Sequence, residues 1–170
     1  HLRPRRQRQM CIRDRDGLHP MNVGNLSSGY QGSIPCTPLG CYYLLKKIEP
    51  NLTGKKAVMI GRSNLNGKAM AQLLLQEDCT VTITHSKTKD LQHECFEADV
   101  IVAAVGIPEL IKGDWVKKDA IVIDVGINKT ENGIVGDVNF EEVSKVAKAL
   151  TPVPGGVGPM TIACLLKNTI

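Results

Sequence analysis

Three short stretches carry residue types on which ligand chemistry could be built. They are Gly61-Arg62-Ser63 with Gly67 close behind, His85-Ser86-Lys87-Thr88, and Thr151–Thr161, where three prolines and three glycines fall within eleven residues. In the first, a short apolar run ends in glycine and feeds a segment of helical pattern. Such a junction offers backbone N–H groups and a positive helix-dipole end to an anion. Arg62 adds a permanent planar cation suited to phosphate, and Ser63 and Asn64 add short hydrogen-bonding groups. The spacing departs from the dinucleotide fingerprint G-x-G-x-x-G: counted from Gly61, the later glycines would fall on Ser63 and Asn66, and Gly67 comes one place late. A degraded Rossmann turn, a different cofactor turn and a plain strand-to-helix loop all remain open at this point.

The second stretch narrows the choice. An NAD-specific domain places Asp or Glu at the end of its second strand, where it binds the ribose 2′-hydroxyl. Here the β-rich run 79–84 ends in His85, Ser86, Lys87 and Thr88, with no carboxylate before Asp90. A carboxylate there would repel a 2′-phosphate, whereas hydroxyl and cationic groups would accept it. Arg62, Ser86 and Lys87 converging on one spot would suit NADP; the bland alternative is a polar loop with basic residues by chance. Two further loops fit a nearby ligand. Val105-Gly106 in "AAVGIPE" lets a backbone pass close to a ribose or nicotinamide, and "DVGIN" (124–128) is similar. The Pro/Gly-rich loop before the last helix is either a tight connection or the rigid wall of a binding site.

The elements that would position these loops alternate. Apolar runs at 56–61, 99–106 and 119–127 are consistent with buried strands; residues 67–78 and 139–150 have helical spacing, and a final helix follows the Pro/Gly loop. Residues 14–36 have the composition of a loop, and Thr37 and Pro38 are expected to open a helix. Asn132-Gly133 suggests a tight hairpin. Short apolar strands alternating with helices argue for an α/β fold, a Rossmann-like parallel sheet with helices on both faces, in which ligands bind beyond the carboxyl ends of the strands.

Charge and cysteines exclude other classes. The formal net charge of +4 resides in residues 1–13, which hold five arginines and no acid; without them 16 basic residues face 17 acidic ones. That arginine-rich leader reads as a transit peptide, a nucleic-acid arm, or a disordered or foreign segment, and nothing downstream supports nucleic acid as a partner. Six cysteines without C-x-x-C or zinc-ligand spacing fit reduced thiols in a cytoplasmic protein and imply no metal. No apolar run reaches the ~18–20 residues of a membrane span.

Taken together and in order, "DGLHPMNVGNLSSG", "GRS…GK", "HSKT", "VIDVGIN", "VGDV" and "TPVPGGVGPMT" resemble the cofactor-binding part of bifunctional methylenetetrahydrofolate dehydrogenase/cyclohydrolase, over residues 16–170. The resemblance implies a two-domain α/β homodimer with NADP as cofactor and tetrahydrofolate derivatives as substrates. It would oxidise 5,10-methylene-tetrahydrofolate to the 5,10-methenyl form and hydrolyse that to 10-formyl-tetrahydrofolate. It divides the chain into an unmatched leader (1–15), an interdomain or substrate loop (16–36) and a Rossmann-like NADP-binding domain (37–170). It gives the cofactor Gly61, Arg62, Ser63, Gly67, Ser86, Val105, Gly106 and Ile127, the last through its backbone. Asp16 matches the pterin-binding aspartate, and Pro154, Gly155, Gly156 and Pro159 would wall the folate side.

Two departures accompany the match. The family's catalytic lysine, in a tyrosine-x-x-x-lysine motif, belongs to a region upstream of Asp16 that the leader replaces here. In the family's G-R-S-x-x-V-G-x-P pattern, Asn66 stands for the valine and Ala69 for the proline. The chain is therefore expected to be inactive alone; the alternative is a non-catalytic NADP-binding module.

Overall fold

The computed structural model describes residues 16–131 and 133–170; the leader and Asn132 lie outside the described residues. In chain order the elements are α1 (Pro20–Ser28), α2 (Cys36–Ile48), β1 (Lys56–Ile60), α3 (Gly67–Gln76), β2 (Thr80–Thr84), α4 (Leu91–Phe96), β3 (Val100–Ala103), a 3₁₀ turn (Gly113–Trp115), β4 (Ile121–Asp124), β5 (Asn128–Thr130), β6 (Gly133–Val135), α5 (Phe140–Val143), β7 (Ala149–Leu150) and α6 (Val157–Lys167). Five strands form one parallel sheet in the order β2-β1-β3-β4-β7, and β5 and β6 pair as a separate antiparallel hairpin.

The central strands β3 and β4 are buried along their whole length, as runs covered by helices on both faces must be. Alternate residues serve opposite faces. Met59, Val100, Val102, Ile121 and Ile123 join Leu45, Met70 and Leu74 of α2 and α3, while Ile60, Ile101 and Val122 join Cys95, Ile111 and Val143 on the other side. Each fully buried Leu, Ile or Met contributes about 1.5–3 kcal/mol. The expected Rossmann-like α/β sheet is thus what forms. β1 lies between β2 and β3, so the chain leaves it first to one side and then to the other. The crevice beyond β1 and β3 is therefore a topological switch point, where such sheets bind ligands.

Three local expectations are corrected. Residues 16–36 are not all loop. His19 caps α1 by accepting from the Met21 amide at 3.3 Å, Pro20 occupies the first turn, and Gly29 ends the helix at φ 75°. Its proline and glycine are helix start and stop signals rather than breakers. The helix expected over 139–150 stops after Val143, because Lys148 donates to the Ala120 carbonyl and Thr151 to that of Val122, completing the open edge of β4. Sheet pairing outweighs the local amphipathic period. Thr37 does not cap α2, which begins one residue earlier at Cys36; its hydroxyl meets that of Thr161 on α6 at 3.2 Å.

Among the described residues no helix is long and apolar enough to cross a membrane, and no cluster of His, Cys, Asp and Glu could hold a metal. Cys36, Cys41, Cys79, Cys95 and Cys164 are all buried, and burial pushes the Cys41 and Cys95 thiols up to about 12.

Candidate functional site

The turn after β1 is built by close backbone approach. Gly61 adopts φ 111°, and a Cβ there would lie 2.4 Å from the Ala104 carbonyl oxygen at the end of β3. A Cβ on Gly67 would lie 2.2 Å from the Gly61 oxygen. Both glycines are therefore required by the contact that closes the turn, although their spacing is not that of the common fingerprint. Ser63 organises the entry into α3: its Oγ accepts from the amides of Asn66 at 3.1 Å and Gly67 at 3.4 Å, and its carbonyl accepts from Lys68 at 3.0 Å. The first amides of α3 are thus satisfied within the protein and are not the free donors expected from the sequence. The free donors lie one step earlier, because the amides of Arg62, Ser63, Asn64 and Leu65 have no acceptor among the described residues. Successive N–H groups left free in a turn can cradle an anion. Arg62 is exposed beside them and makes no ion pair among the described residues.

The end of β2 closes on itself. The His85 amide donates to Thr88 Oγ1 at 2.9 Å, and the Lys87 amide to His85 Nδ1 at 3.1 Å. His85 and Thr88 are thereby spent on the turn, and Ser86 and Lys87 are left exposed. The Gly61 amide donates to the Thr84 carbonyl at 3.0 Å, which ties this loop to the β1 turn.

A cleft of about 700 Å³ opens beyond β4. Its walls bring together Gly126 and Ile127, the stretch Pro152–Pro159, Thr37, Asn66 and Ile162, so Ile127, Pro154, Gly155, Gly156 and Pro159 line one cleft. Thr151 fixes the Pro/Gly loop to the sheet, its Oγ1 accepting from the Asp124 amide at 2.7 Å. Asp16 is not a wall residue; its charge acts on Cys36, next to the wall residue Thr37. A tyrosine-x-x-x-lysine spacing occurs at Tyr42–Lys46, but both side chains are held by Glu77, at 2.5 and 2.6 Å, away from the cleft walls.

Sequence reasoning missed two residues behind these loops. Asp124 and Asp137 are almost wholly buried. Asp124 accepts from the amides of Gly126 at 2.9 Å, Asp137 at 3.0 Å and Val138 at 3.0 Å. Asp137 accepts from the amides of Val105 and Gly106 and from Asn128 Nδ2. The available signal was an acid ending an apolar strand with glycines nearby: a Cβ on Gly136 or Gly126 would strike these carboxylates at 1.8 and 2.2 Å.

Burial pushes the Asp124 carboxyl up to about 6, against the amide bonds that favour its charge. A folded-state value above the unfolded one means that the folded domain takes up this proton first as pH falls. Its contribution to stability therefore grows from about pH 7 down to about pH 4. The Lys46 and then the Tyr42 hydrogen bond hold Glu77 below its usual range, so its contribution is present above about pH 4.5 and lost below. Thermal unfolding is expected to find the highest Tm between about pH 4.5 and 6. Asp124→Asn is expected to remove the rise on descending from pH 7.

Asn66, which stands where the family pattern has valine, leaves its Oδ1 buried without a hydrogen-bond partner among the described residues, beside Pro38, Cys41, Met59 and Met70. An unsatisfied buried acceptor costs about 1–3 kcal/mol. Asn66→Val is expected to raise Tm by about 2–12 °C in thermal unfolding, and an unchanged or lower Tm would contradict this assignment.

Residues 35–170 match the family described as tetrahydrofolate dehydrogenase/cyclohydrolase, NAD(P)-binding domain. The bifunctional protein FolD of Pelagibacter ubique (strain HTCC1062) is 87% identical over 158 residues, which cover 93% of this chain and 56% of that protein. The solved structure of bifunctional FolD, methylenetetrahydrofolate dehydrogenase/cyclohydrolase, from Campylobacter jejuni superposes with TM-score 0.90 at 56% identity, covering 92% of this chain and 56% of that one. The methylenetetrahydrofolate dehydrogenase-cyclohydrolase of Trypanosoma brucei, complexed with NADP cofactor and inhibitor, superposes with TM-score 0.86 at 41% identity, covering 93% and 57%. The chain spans a little over half the length of these relatives.

Proposed function

The chain belongs to the tetrahydrofolate dehydrogenase/cyclohydrolase family, as its NAD(P)-binding domain, and on that premise we propose that it holds NADP at the β1–β3 crevice of an enzyme of one-carbon folate metabolism. The observation that carries the reading is the run of unpaired amides at Arg62–Leu65. Among the described residues neither these amides nor the arginine beside them has a partner, and the end of β2 has no carboxylate before Asp90.

Gly61 and Gly67 shape the turn, and the loop amides with the Ser63 hydroxyl bind the diphosphate. Arg62 and Ser86 take the 2′-phosphate, which NAD lacks. Val105, Gly106 and the backbone of Ile127 face the nicotinamide side. NADP⁺, when bound, accepts a hydride. The whole protein oxidises 5,10-methylene-tetrahydrofolate to the methenyl form and hydrolyses it to 10-formyl-tetrahydrofolate. Pro154, Gly155, Gly156 and Pro159 wall the folate side and exclude water there, and Asp16 binds the pterin through paired hydrogen bonds. Ile162, which lines this cleft, and Leu165 and Leu166 further along α6 are exposed, which supports a further domain or a second subunit of a homodimer against them. The buried thiols support a cytoplasmic setting.

The cleft walls among the described residues carry one titratable side chain, Asp124, and its carboxylate is occupied by three backbone amides. This supports cofactor binding without turnover by this chain alone. Calorimetric titration with NADP⁺ and with NAD⁺ tests the reading. NADP⁺ should bind at least about tenfold more tightly, and equal affinities, or no binding of either, would refute it. Measurable oxidation of 5,10-methylene-tetrahydrofolate by the 170-residue chain alone would refute the absence of turnover.

A further inference from the structure

Asp137 is closed to solvent and is not itself one of the cleft walls, yet two loops assigned to the nicotinamide side converge on its carboxylate. Oδ2 accepts from the Val105 amide at 2.7 Å and the Gly106 amide at 3.0 Å, and Oδ1 accepts from Asn128 Nδ2 at 2.9 Å. The residue is itself anchored. The Ile111 amide donates to its carbonyl at 3.0 Å, the Glu109 amide to that of Gly136 at 3.0 Å, and its own amide to Asp124. Gly126 leaves room for it, since a Cβ there would lie 2.2 Å from Oδ1.

A trans peptide directs its C=O opposite to its N–H. Turning the Val105 and Gly106 amides onto one buried oxygen therefore turns the Ala104 and Val105 carbonyls away from Asp137. The Ala104 carbonyl is the one that fills the hollow at Gly61. We infer that Asp137 is a positioning residue, a buried acceptor that fixes the direction of the 104–106 peptides and, through Asn128, the loop after β4, so that both present a fixed backbone to the nicotinamide half of the cofactor. The inference rests on the proposed NADP site.

Calorimetry on the whole chain with NADP⁺ and with adenosine 2′,5′-bisphosphate tests it, because the second ligand carries only the half that Arg62 and Ser86 bind. Asp137→Ala leaves the two amides without their acceptor and should weaken NADP⁺ by about tenfold or more, with the bisphosphate within about twofold of wild type. Asp137→Asn keeps one oxygen for both amides, and Asn128 can turn its own amide to match, so NADP⁺ affinity should return to within about threefold of wild type. If the wild-type chain does not bind NADP⁺, the functional reading and this inference both fall. If it binds, this inference alone is overturned by an alanine variant that binds NADP⁺ normally, by equal loss of both ligands, or by an asparagine variant as weak as alanine. Should the alanine variant not fold, hydrogen exchange on the wild type decides: slow exchange at the Val105 and Gly106 amides supports the inference, and exchange as fast as in exposed loops overturns it.

Discussion

Replacing Arg62 by alanine is expected to weaken NADP⁺ binding by about 10- to 100-fold and to leave NAD⁺ within about threefold, because a charge-assisted hydrogen bond contributes about 1.5–3 kcal/mol. The guanidinium is exposed and without an ion-pair partner among the described residues, so its removal leaves no buried group unsatisfied. Tm in the absence of ligand should accordingly stay within about 1–2 °C of wild type. Parallel titrations with both cofactors separate this role from that of a merely solvated surface arginine. Equal losses for the two, or no loss, would remove Arg62 from the 2′-phosphate site.

The second large effect is expected at Gly67. A Cβ there meets only backbone, at 2.2 Å from the Gly61 oxygen and 2.8 Å from the Arg62 Cα, so no side chain can swing aside to admit it. The turn must open and α3 must shift, at a cost of about 3 kcal/mol, the upper end for overpacking. Gly67→Ala should therefore lower Tm by about 6–12 °C and weaken NADP⁺ by about tenfold or more, roughly the cost of losing two or more phosphate contacts. Gly24→Ala, in α1 with nothing within 4 Å of the added carbon, is the matched control and should not lower Tm. A Gly67→Ala variant with the Tm and affinity of the control would contradict the close approach on which the turn is built.

How far the sequence disclosed the fold depends on where each element gets its stability. Buried strands such as Val100–Ala103 and Ile121–Asp124 are continuous apolar runs, and that signal is local. The fate of 144–150 is not local. Those residues have helical spacing, and only the vacant edge of β4 turns part of them into β7. α1 was hidden for a different reason, since Pro20 and Gly29 punctuate a loop and a capped helix equally well until the His19 side chain and the left-handed Gly29 are seen. Ser63 stood out in the sequence by its type and place, but its role in capping the Asn66 and Gly67 amides depends on how the chain turns. Asp124 and Asp137 were the least legible. A carboxylate at the end of an apolar run reads as the residue that leaves the core, whereas both are driven inward by backbone amides that loops from elsewhere bring to them.

The central claim is that NADP is held by the free amides after β1 and by the loops after β3 and β4. A ¹⁵N-resolved NMR titration of the chain with NADP⁺ tests it most directly. The largest saturable shifts are expected at the amides of Arg62–Leu65, at Ser86, and at Val105, Gly106 and Ile127, with NAD⁺ failing to move Ser86 at the same concentration. Shifts confined to other surfaces, or none at saturating NADP⁺, would contradict the account.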